Sequence, residues 1–391
     1  MKYDFDTWVD RRGTNCSKWD TPGRGLDPSL VLPMSIADMD FPVPEPVIEA
    51  LRKRVDHPVY GYTNPGEGVT GAVIDRLERK FDWRIRPEWL SFSSGVVPSL
   101  TTAVRALTEP GEKVLAMSPV YPHLPWAAPR AGGREAVFTR LKTENGRYVM
   151  DLNDIERALA EHKPKVIMLC SPHNPGGRLW TREELLALGG LALKYDAYVV
   201  SDEIHCELVL SSRRHVPFPS LSSEIAARSI VLMSPAKTFN VAGLGTSLTI
   251  IPDAEVRKRF LQAEAGVAGE PNIFGLTALE AAYRHGDEWL EQVLEYIRAN
   301  LSFLTGWFNK ELPQLKVMEP EATYLVWVDC RGLGLDNEAL SLLFREKAKV
   351  AVVDGFKFGE GGEGFVRLNI ACPRSILEEG LRRIASAIRG L

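Results

Sequence analysis

The sequence has few cysteines, no long hydrophobic run and no excess of positive charge. Its five cysteines, Cys16, Cys170, Cys206, Cys330 and Cys372, are odd in number and form no Cys-x-x-Cys pair, which argues against a disulfide framework or a zinc site. No run approaches the ~20 apolar residues of a membrane helix, and the start lacks an apolar signal-peptide core. Lys and Arg total 47 against 51 Asp and Glu, with no basic stretch for a nucleic acid. We therefore expect a cytoplasmic protein without a membrane, nucleic-acid or metal partner.

The pattern of apolar runs divides the 391 residues into three parts. Residues 1–50 are rich in proline, which excludes a long helix, and they predict an extended arm that joins the small domain. Residues 51–285 alternate short apolar runs with helical patterns, typical of a mostly parallel sheet covered on both faces. Residues 286–391 open with one long helical pattern, 287–311, and predict a smaller α+β domain. The predicted class is therefore α/β, with a large domain whose strands include 113–117, 166–170, 197–201, 230–233 and 246–251.

Four segments of the middle part place polar side chains where predicted strands end. They carry Ser-Ser-Gly before a helical pattern at 93–95, Asn174, Asp202, and Ser234-x-x-Lys237. Taken singly, each has an ordinary explanation: a helix cap, a turn, a second cap and a solvated lysine. Taken together, they meet at the edge of a parallel sheet where ligands bind. The set is what pyridoxal phosphate needs: a lysine for a Schiff base, an aspartate for the ring nitrogen, and a helix N-terminus with a serine for the phosphate.

Seven motifs extend this pattern over the whole chain. They are Lys18-Trp19-Asp20, Ala37-Asp38-Met39-Asp40-Phe41, Tyr60-Gly61-Tyr62, Pro172-His173-Asn174-Pro175, Asp202-Glu203-Ile204-His205, Lys237-Thr238-Phe239-Asn240 and Phe365-Val366-Arg367-Leu368-Asn369. On these motifs the chain resembles fold type I pyridoxal-phosphate enzymes, the aminotransferase-like family. It is most similar to their MalY/PatB group of cystathionine β-lyases (C–S lyases). The Lys-Trp-Asp, Ala-Asp-Met-Asp-Phe and Asp-Glu-Ile-His motifs are the ones more typical of the lyase branch.

The resemblance implies a role for each cofactor-binding position. Lys237 would form the Schiff base, and Asp202 would pair with the ring nitrogen of the cofactor. Asn174 would hydrogen-bond the phenolic oxygen, and Tyr121 would stack on the ring. The residues implied for the phosphate are Gly95, Val96 and Ser234.

The resemblance also implies substrate contacts and a partner subunit. Arg367 would clamp the substrate carboxylate, although a structural ion pair is the alternative for an arginine considered alone. Ser35 stands where this group often has a tryptophan near the substrate, so the pocket would be opened or reshaped. His205 stands where many aminotransferases have a tyrosine, which favours a lyase-type site. Tyr62 would reach the phosphate of the neighbouring subunit, so the active form would be a homodimer.

The implied reaction is β-elimination of L-cystathionine or a related cysteine thioether to a thiol, pyruvate and ammonia, within methionine and cysteine metabolism. Two alternatives stay open. An aminotransferase would use the same lysine and aspartate but return the amino group to a keto acid. A cofactor-binding regulator would have no need of a base. A nicotinamide-dependent dehydrogenase is excluded, because no Gly-x-Gly-x-x-Gly follows a predicted strand.

Overall fold

The computed structural model describes residues 2–22, 27–266, 269 and 271–391. Its centre is a seven-stranded sheet. In spatial order the strands are Leu90–Ser93, Ser247–Ile250, Ser229–Met233, Tyr198–Asp202, Val166–Cys170, Lys113–Ser118 and Glu135–Arg140. Six strands share one direction and Ser247–Ile250 runs against its neighbours. The carboxyl ends of the six therefore lie at one edge.

Alternate residues of the central strands pack on opposite faces of this sheet. Val166 and Met168 belong to one apolar cluster, whereas Ile167 and Leu169 belong to another. Each cluster is completed by helices, as the continuous apolar runs predict for strands covered on both sides. Those on the first face are Val96–Leu107, His123–Arg130 and Ala254–Glu264, and those on the second are Leu152–His162 and Arg182–Lys194.

The strand predicted at 246–251 exists but differs in direction from its neighbours. It is Ser247–Ile250, and it pairs antiparallel with Ser229–Met233. The segment between these strands contains only the four-residue helix Pro235–Thr238 and a single 3₁₀ turn. A parallel return needs a longer crossover, usually a helix. The chain therefore turns back at the same edge.

A second sheet of four antiparallel strands lies in the C-terminal part. Its order is Lys316–Met318, Leu325–Asp329, Phe365–Asn369 and Val353–Asp354. The segment 350–354 forms two short strands, because Val350–Ala351 pairs with Leu32–Pro33 of the arm and Val353–Asp354 pairs with Phe365–Asn369. Arg367 lies on a central strand of this sheet, opposite Trp327 and Val353.

The remaining helices complete the core around both sheets. The long predicted helix is Asp287–Glu311, which ends two residues before Pro313. Thr181 and Glu184 form a capping box at the start of Arg182–Lys194, with both of its hydrogen bonds present. Within the described ranges no helix is long and apolar enough to cross a membrane. The other helices are Glu45–Val55, Glu67–Phe81, Ser223–Ala226, Ile273–His285, Asn337–Leu342 and Arg374–Arg389, and a separate hairpin joins Lys142–Glu144 to Arg147–Val149.

Candidate active site

A cavity of about 390 Å³ opens at the edge where the six strands end. The start of Ser247–Ile250 lies at the same edge, because this strand runs in the opposite direction. The predicted site residues that line the cavity are Ser35, Gly95, Val96, Tyr121, Asn174, Asp202, His205, Ser234, Lys237 and Arg367. Tyr62 is fully exposed on the surface instead.

Lys237 projects from the short helix Pro235–Thr238, whose first turn is capped by Ser234. The Ser234 hydroxyl accepts from the Ala236 N–H at 3.0 Å and donates to the Thr246 carbonyl at 2.7 Å. Lys237 Nζ donates to the Ala37 carbonyl at 2.6 Å. Burial lowers the pKa of this amine to about 8, and the Arg367 charge acts in the same direction. The amine therefore has a sizeable neutral fraction at mildly alkaline pH.

Asp202 is the last residue of its strand and is buried. Its Oδ1 accepts from the Ile204 N–H at 3.1 Å. Burial raises the pKa of this carboxyl to about 6, although the Ile204 N–H and the Lys237 charge oppose the rise. Asp202 is therefore mainly an anion at pH 7, placed to hold a positively charged N–H.

Arg367 connects the small sheet to the large one through Asn174. Its Nη1 donates to Asn174 Oδ1 at 2.9 Å, and its Nη2 donates to the Ser35 carbonyl at 3.1 Å. Its Nε has no partner among the described residues. Burial lowers the pKa of the guanidinium to about 10, so it stays charged at neutral pH. A buried cation held by neutral acceptors has capacity left for a carboxylate.

One corner of the cavity, called the anion corner below, combines a helix start with the Ser234 and Thr246 hydroxyls. Gly95 precedes the helix Val96–Leu107, whose start has no side-chain cap in the described part of the chain. Free N–H groups at a helix N-terminus attract phosphate. Ser234 and Thr246 line the same cavity, and the buried Thr246 hydroxyl makes no hydrogen bond within the described ranges. Thr246 could not be predicted at this position, because a parallel strand would have its first residue at the opposite edge of the sheet.

His205 and Tyr121 also line the cavity, and Tyr324 packs against His205. Burial lowers the pKa of His205 to about 3, so this histidine is neutral, and its buried Nδ1 makes no hydrogen bond in the part of the chain described. Tyr324 meets the His205 ring edge to face at 6.2 Å and donates to the Ala37 carbonyl at 3.0 Å. Burial raises the pKa of Tyr121 to about 12, so its phenol stays protonated. Tyr324 had no sequence signal beyond an apolar strand.

The lyase-type motifs of the arm hold segment 35–41 in place. This segment carries the Ser35 and Ala37 carbonyls, which accept from Arg367 and Lys237. The buried Lys18 ammonium donates to Asp40 Oδ2 at 2.6 Å, and Trp19 Nε1 donates to Asp40 Oδ1 at 2.8 Å. Asn240, three residues after Lys237, donates to the carbonyls of Met39 and Phe41 at 3.0 and 2.9 Å. The segment 35–41 is therefore anchored from both the arm and the large sheet.

These groups fit pyridoxal phosphate. A buried amine, a carboxylate, an amide, an aromatic ring and an anion corner face one cavity. Buried polar atoms normally have partners, yet three atoms here lack them among the described residues: Thr246 Oγ1, His205 Nδ1 and Arg367 Nε. A planar aldehyde cofactor with a phosphate and an amino-acid substrate would supply such partners.

Comparison with known proteins places the chain in a family. Residues 30–384 match the family model for aminotransferase class I and II. Cystathionine beta-lyase PatB of Bacillus subtilis is 42% identical over 98% of this chain and 99% of its own, and protein MalY of Escherichia coli is 33% identical over the full length of both. The crystal structure of cystalysin from Treponema denticola, which contains pyridoxal 5'-phosphate, superposes with a TM-score of 0.96 at 34% identity over all of both chains.

These similarities confirm the predicted α/β architecture of fold type I and the resemblance to the MalY/PatB group. They also agree with the sheet and the cavity described above. The chain belongs to the aminotransferase class I and II family.

Proposed function

We propose that the chain is a pyridoxal-phosphate-dependent carbon–sulfur lyase. It would eliminate a thiol from L-cystathionine or a related cysteine thioether and release pyruvate and ammonia. One observation carries the proposal: Lys237, Asp202, Asn174 and Arg367 come from separate elements and meet in one cavity. The similarity to PatB, which is named a cystathionine beta-lyase, supports elimination as the reaction.

Lys237 is the residue that moves the proton. Pyridoxal phosphate, when bound, takes up the electrons of the Cα–H bond of an amino acid and so makes that hydrogen acidic. Because burial lowers the pKa of Lys237 to about 8, its Nζ can accept this proton near physiological pH. The Ala37 carbonyl, 2.6 Å from Nζ, then holds the ammonium in place.

Asp202 orients the cofactor, and Arg367 orients the substrate. Asp202 would hold the ring N–H of the cofactor as an ion pair, which keeps the ring electron-deficient. Arg367 would bind the substrate carboxylate through its planar guanidinium. The cavity walls between them are largely apolar and include Ile36, Ile204 and Val353. Such walls exclude water and strengthen both charge interactions.

The deciding experiment measures pyruvate release from L-cystathionine by the purified, cofactor-saturated protein without an added keto acid. We expect steady production of pyruvate together with one equivalent of thiol. The matched assay adds a keto acid and follows the new amino acid. Amino-group exchange that requires the keto acid, with no pyruvate formed in its absence, would contradict the lyase and establish the aminotransferase alternative.

We also propose that the active form is a homodimer in which Tyr62 completes the neighbouring site. Tyr62 is fully exposed, and Val55, Val59 and Tyr60 beside it are more than half exposed. A cluster of exposed apolar side chains is typical of an interaction surface. The phosphate corner of the second subunit is the partner that the family resemblance assigns to this tyrosine.

Mixing two inactive variants tests the shared site. Tyr62→Ala and Lys237→Ala chains, unfolded and refolded together, form hybrid dimers in which one site has both lesions and the other has neither. We expect the mixture to recover about a quarter of the wild-type activity, since half of the randomly paired dimers carry one intact site. Wild-type protein refolded alone is the control. A mixture that stays inactive, or a protein that light scattering shows to be an active monomer, would contradict the proposal.

We propose the domain division at residues 50 and 285 as well, with the arm attached to the small domain. The pairing of Leu32–Pro33 with Val350–Ala351 supports this attachment. A cytoplasmic location is supported by the five cysteines, all of which are free thiols, as a reducing compartment would keep them.

A further inference from the structure

A second buried carboxylate lies directly beside Asp202. Glu203 is completely buried, and the cavity lining includes Asp202 but not Glu203. Its Oε1 accepts from the Ser201 hydroxyl and from the Phe218 N–H, each at 2.9 Å. Its Oε2 lies 2.7 Å from His215 Nε2. Three polar groups therefore converge on this one buried carboxyl group.

His215 is as deeply buried as its partner, with 1% of its side chain exposed. Its ring packs edge to face on Phe81 at 5.5 Å. Among the described residues, His215 is the one basic side chain paired with Glu203. Since the acceptor is a carboxylate, Nε2 carries a proton. A buried carboxylate that loses such a partner leaves an uncompensated charge close to its neighbours.

The neighbour that would respond is Asp202. Two adjacent buried carboxylates disfavour each other's ionisation. Burial already raises the pKa of Asp202 to about 6, and the Glu203 charge adds to the rise. The other groups that act on Asp202 are the Ile204 N–H and Lys237, and both favour the anion. A further rise in the pKa of Asp202 would therefore make this carboxyl partly neutral at physiological pH.

We propose that His215 and Glu203 form a buried ion pair, in which His215 is a positioning residue that acts through Glu203. It cancels the charge of the second carboxylate, so that Asp202 remains the anion that faces the cofactor cavity. The proposal rests on the proposed function, because it assigns Asp202 to the cofactor ring. It assigns His215 no contact with cofactor or substrate. The pair thus acts on the charge of Asp202 without lining the cofactor cavity.

The test follows the dissociation constant of pyridoxal phosphate from the apoprotein between pH 5 and 9. We compare the wild type with His215→Phe, His215→Gln, Glu203→Gln and the double variant Glu203→Gln/His215→Phe. In His215→Phe the Glu203 charge is uncompensated, so Asp202 takes up a proton at higher pH. The weakening of cofactor binding on acidification should then begin about one pH unit higher. Affinity should fall about tenfold near pH 6–7 and little at pH 9.

The other variants separate charge from packing. Glu203→Gln/His215→Phe lacks both charges and should return to the wild-type pH profile, although it lacks the same imidazole. His215→Gln keeps an N–H donor without the charge and should follow His215→Phe. Glu203→Gln alone should move the profile to lower pH. The unfolding temperature of each apoprotein shows whether the variant is folded.

Three results would overturn the inference. They are an unshifted profile in His215→Phe, a wild-type profile in His215→Gln, and a double variant no better than His215→Phe. Each leaves the proposed function intact if the wild type binds the cofactor and releases pyruvate. A wild type that binds no pyridoxal phosphate would overturn the proposed function and this inference together.

Discussion

Replacing Lys237 by alanine is expected to lower pyruvate release at least about 10⁴-fold, because the proposed function assigns both the covalent attachment and the general base to this one residue. Lys237 Nζ is the amine in the cavity, and burial lowers its pKa to about 8. The residual rate would come from the remaining contacts to cofactor and substrate. The measurement is steady-state pyruvate formation, with borohydride reduction and peptide mass spectrometry to locate the attached cofactor. The reduced cofactor mass should lie on the Lys237 peptide of the wild type and be missing from the variant.

The control for this variant is Lys194→Ala, which removes an exposed lysine paired with Glu156. It should keep the wild-type rate, since surface ion pairs contribute little. A small primary amine added to Lys237→Ala should restore part of the activity. Restoration should increase with pH, because only the neutral amine accepts a proton. A Lys237→Ala protein with more than a tenth of the wild-type rate would exclude Lys237 as the base.

The second large effect is expected for Asp202→Asn, which should lower kcat about 10²–10³-fold, the usual loss on removal of a placed electrostatic group. Asparagine matches the shape of aspartate but cannot hold a positively charged ring nitrogen. The ring would then withdraw electrons poorly, and the Cα hydrogen would be less acidic. The buried Asn174, Tyr121 and anion corner remain, so the cofactor should still bind. The measurement is kcat in cofactor-saturated protein, with the cofactor dissociation constant determined alongside.

The matched control is Asp75→Asn on the exposed surface of helix Glu67–Phe81, where the carboxylate is 66% exposed. It should leave both constants unchanged. An Asp202→Asn protein with kcat within tenfold of the wild type would show that the charge at this position is dispensable. A large loss of affinity with an unchanged kcat would instead assign Asp202 to binding alone.

The strand ends that form the site could be predicted from the sequence, because a local residue pattern marks each of them. A run of apolar residues followed by a polar turn marks where Val166–Cys170 and Tyr198–Asp202 stop, and parallel strands bring such ends together. The direction of Ser247–Ile250 had no local signal, because direction depends on how the chain returns to the sheet. Thr246 was missed for that reason.

Contacts made through backbone atoms could not be predicted from the sequence either. The Ala37 carbonyl accepts from both Lys237 and Tyr324, and any residue type at position 37 has this carbonyl. The aspartates of the same motif were visible, but their partners Lys18 and Trp19 lie some twenty residues away. The role of Tyr62 stays a prediction, because it depends on a second subunit.

The hydrogen bond from Ser234 to the Thr246 carbonyl closes the segment 234–246 into a ring. This ring contains the Lys237 amine and the Ser234 hydroxyl of the anion corner. An insertion or deletion anywhere within it would move both groups at once, so the segment tolerates little change in length. Reaction specificity within this scaffold must therefore be altered from outside the ring, through segment 35–41 and the small sheet. Directed-evolution libraries that seek new substrates should leave 234–246 intact and diversify those two regions.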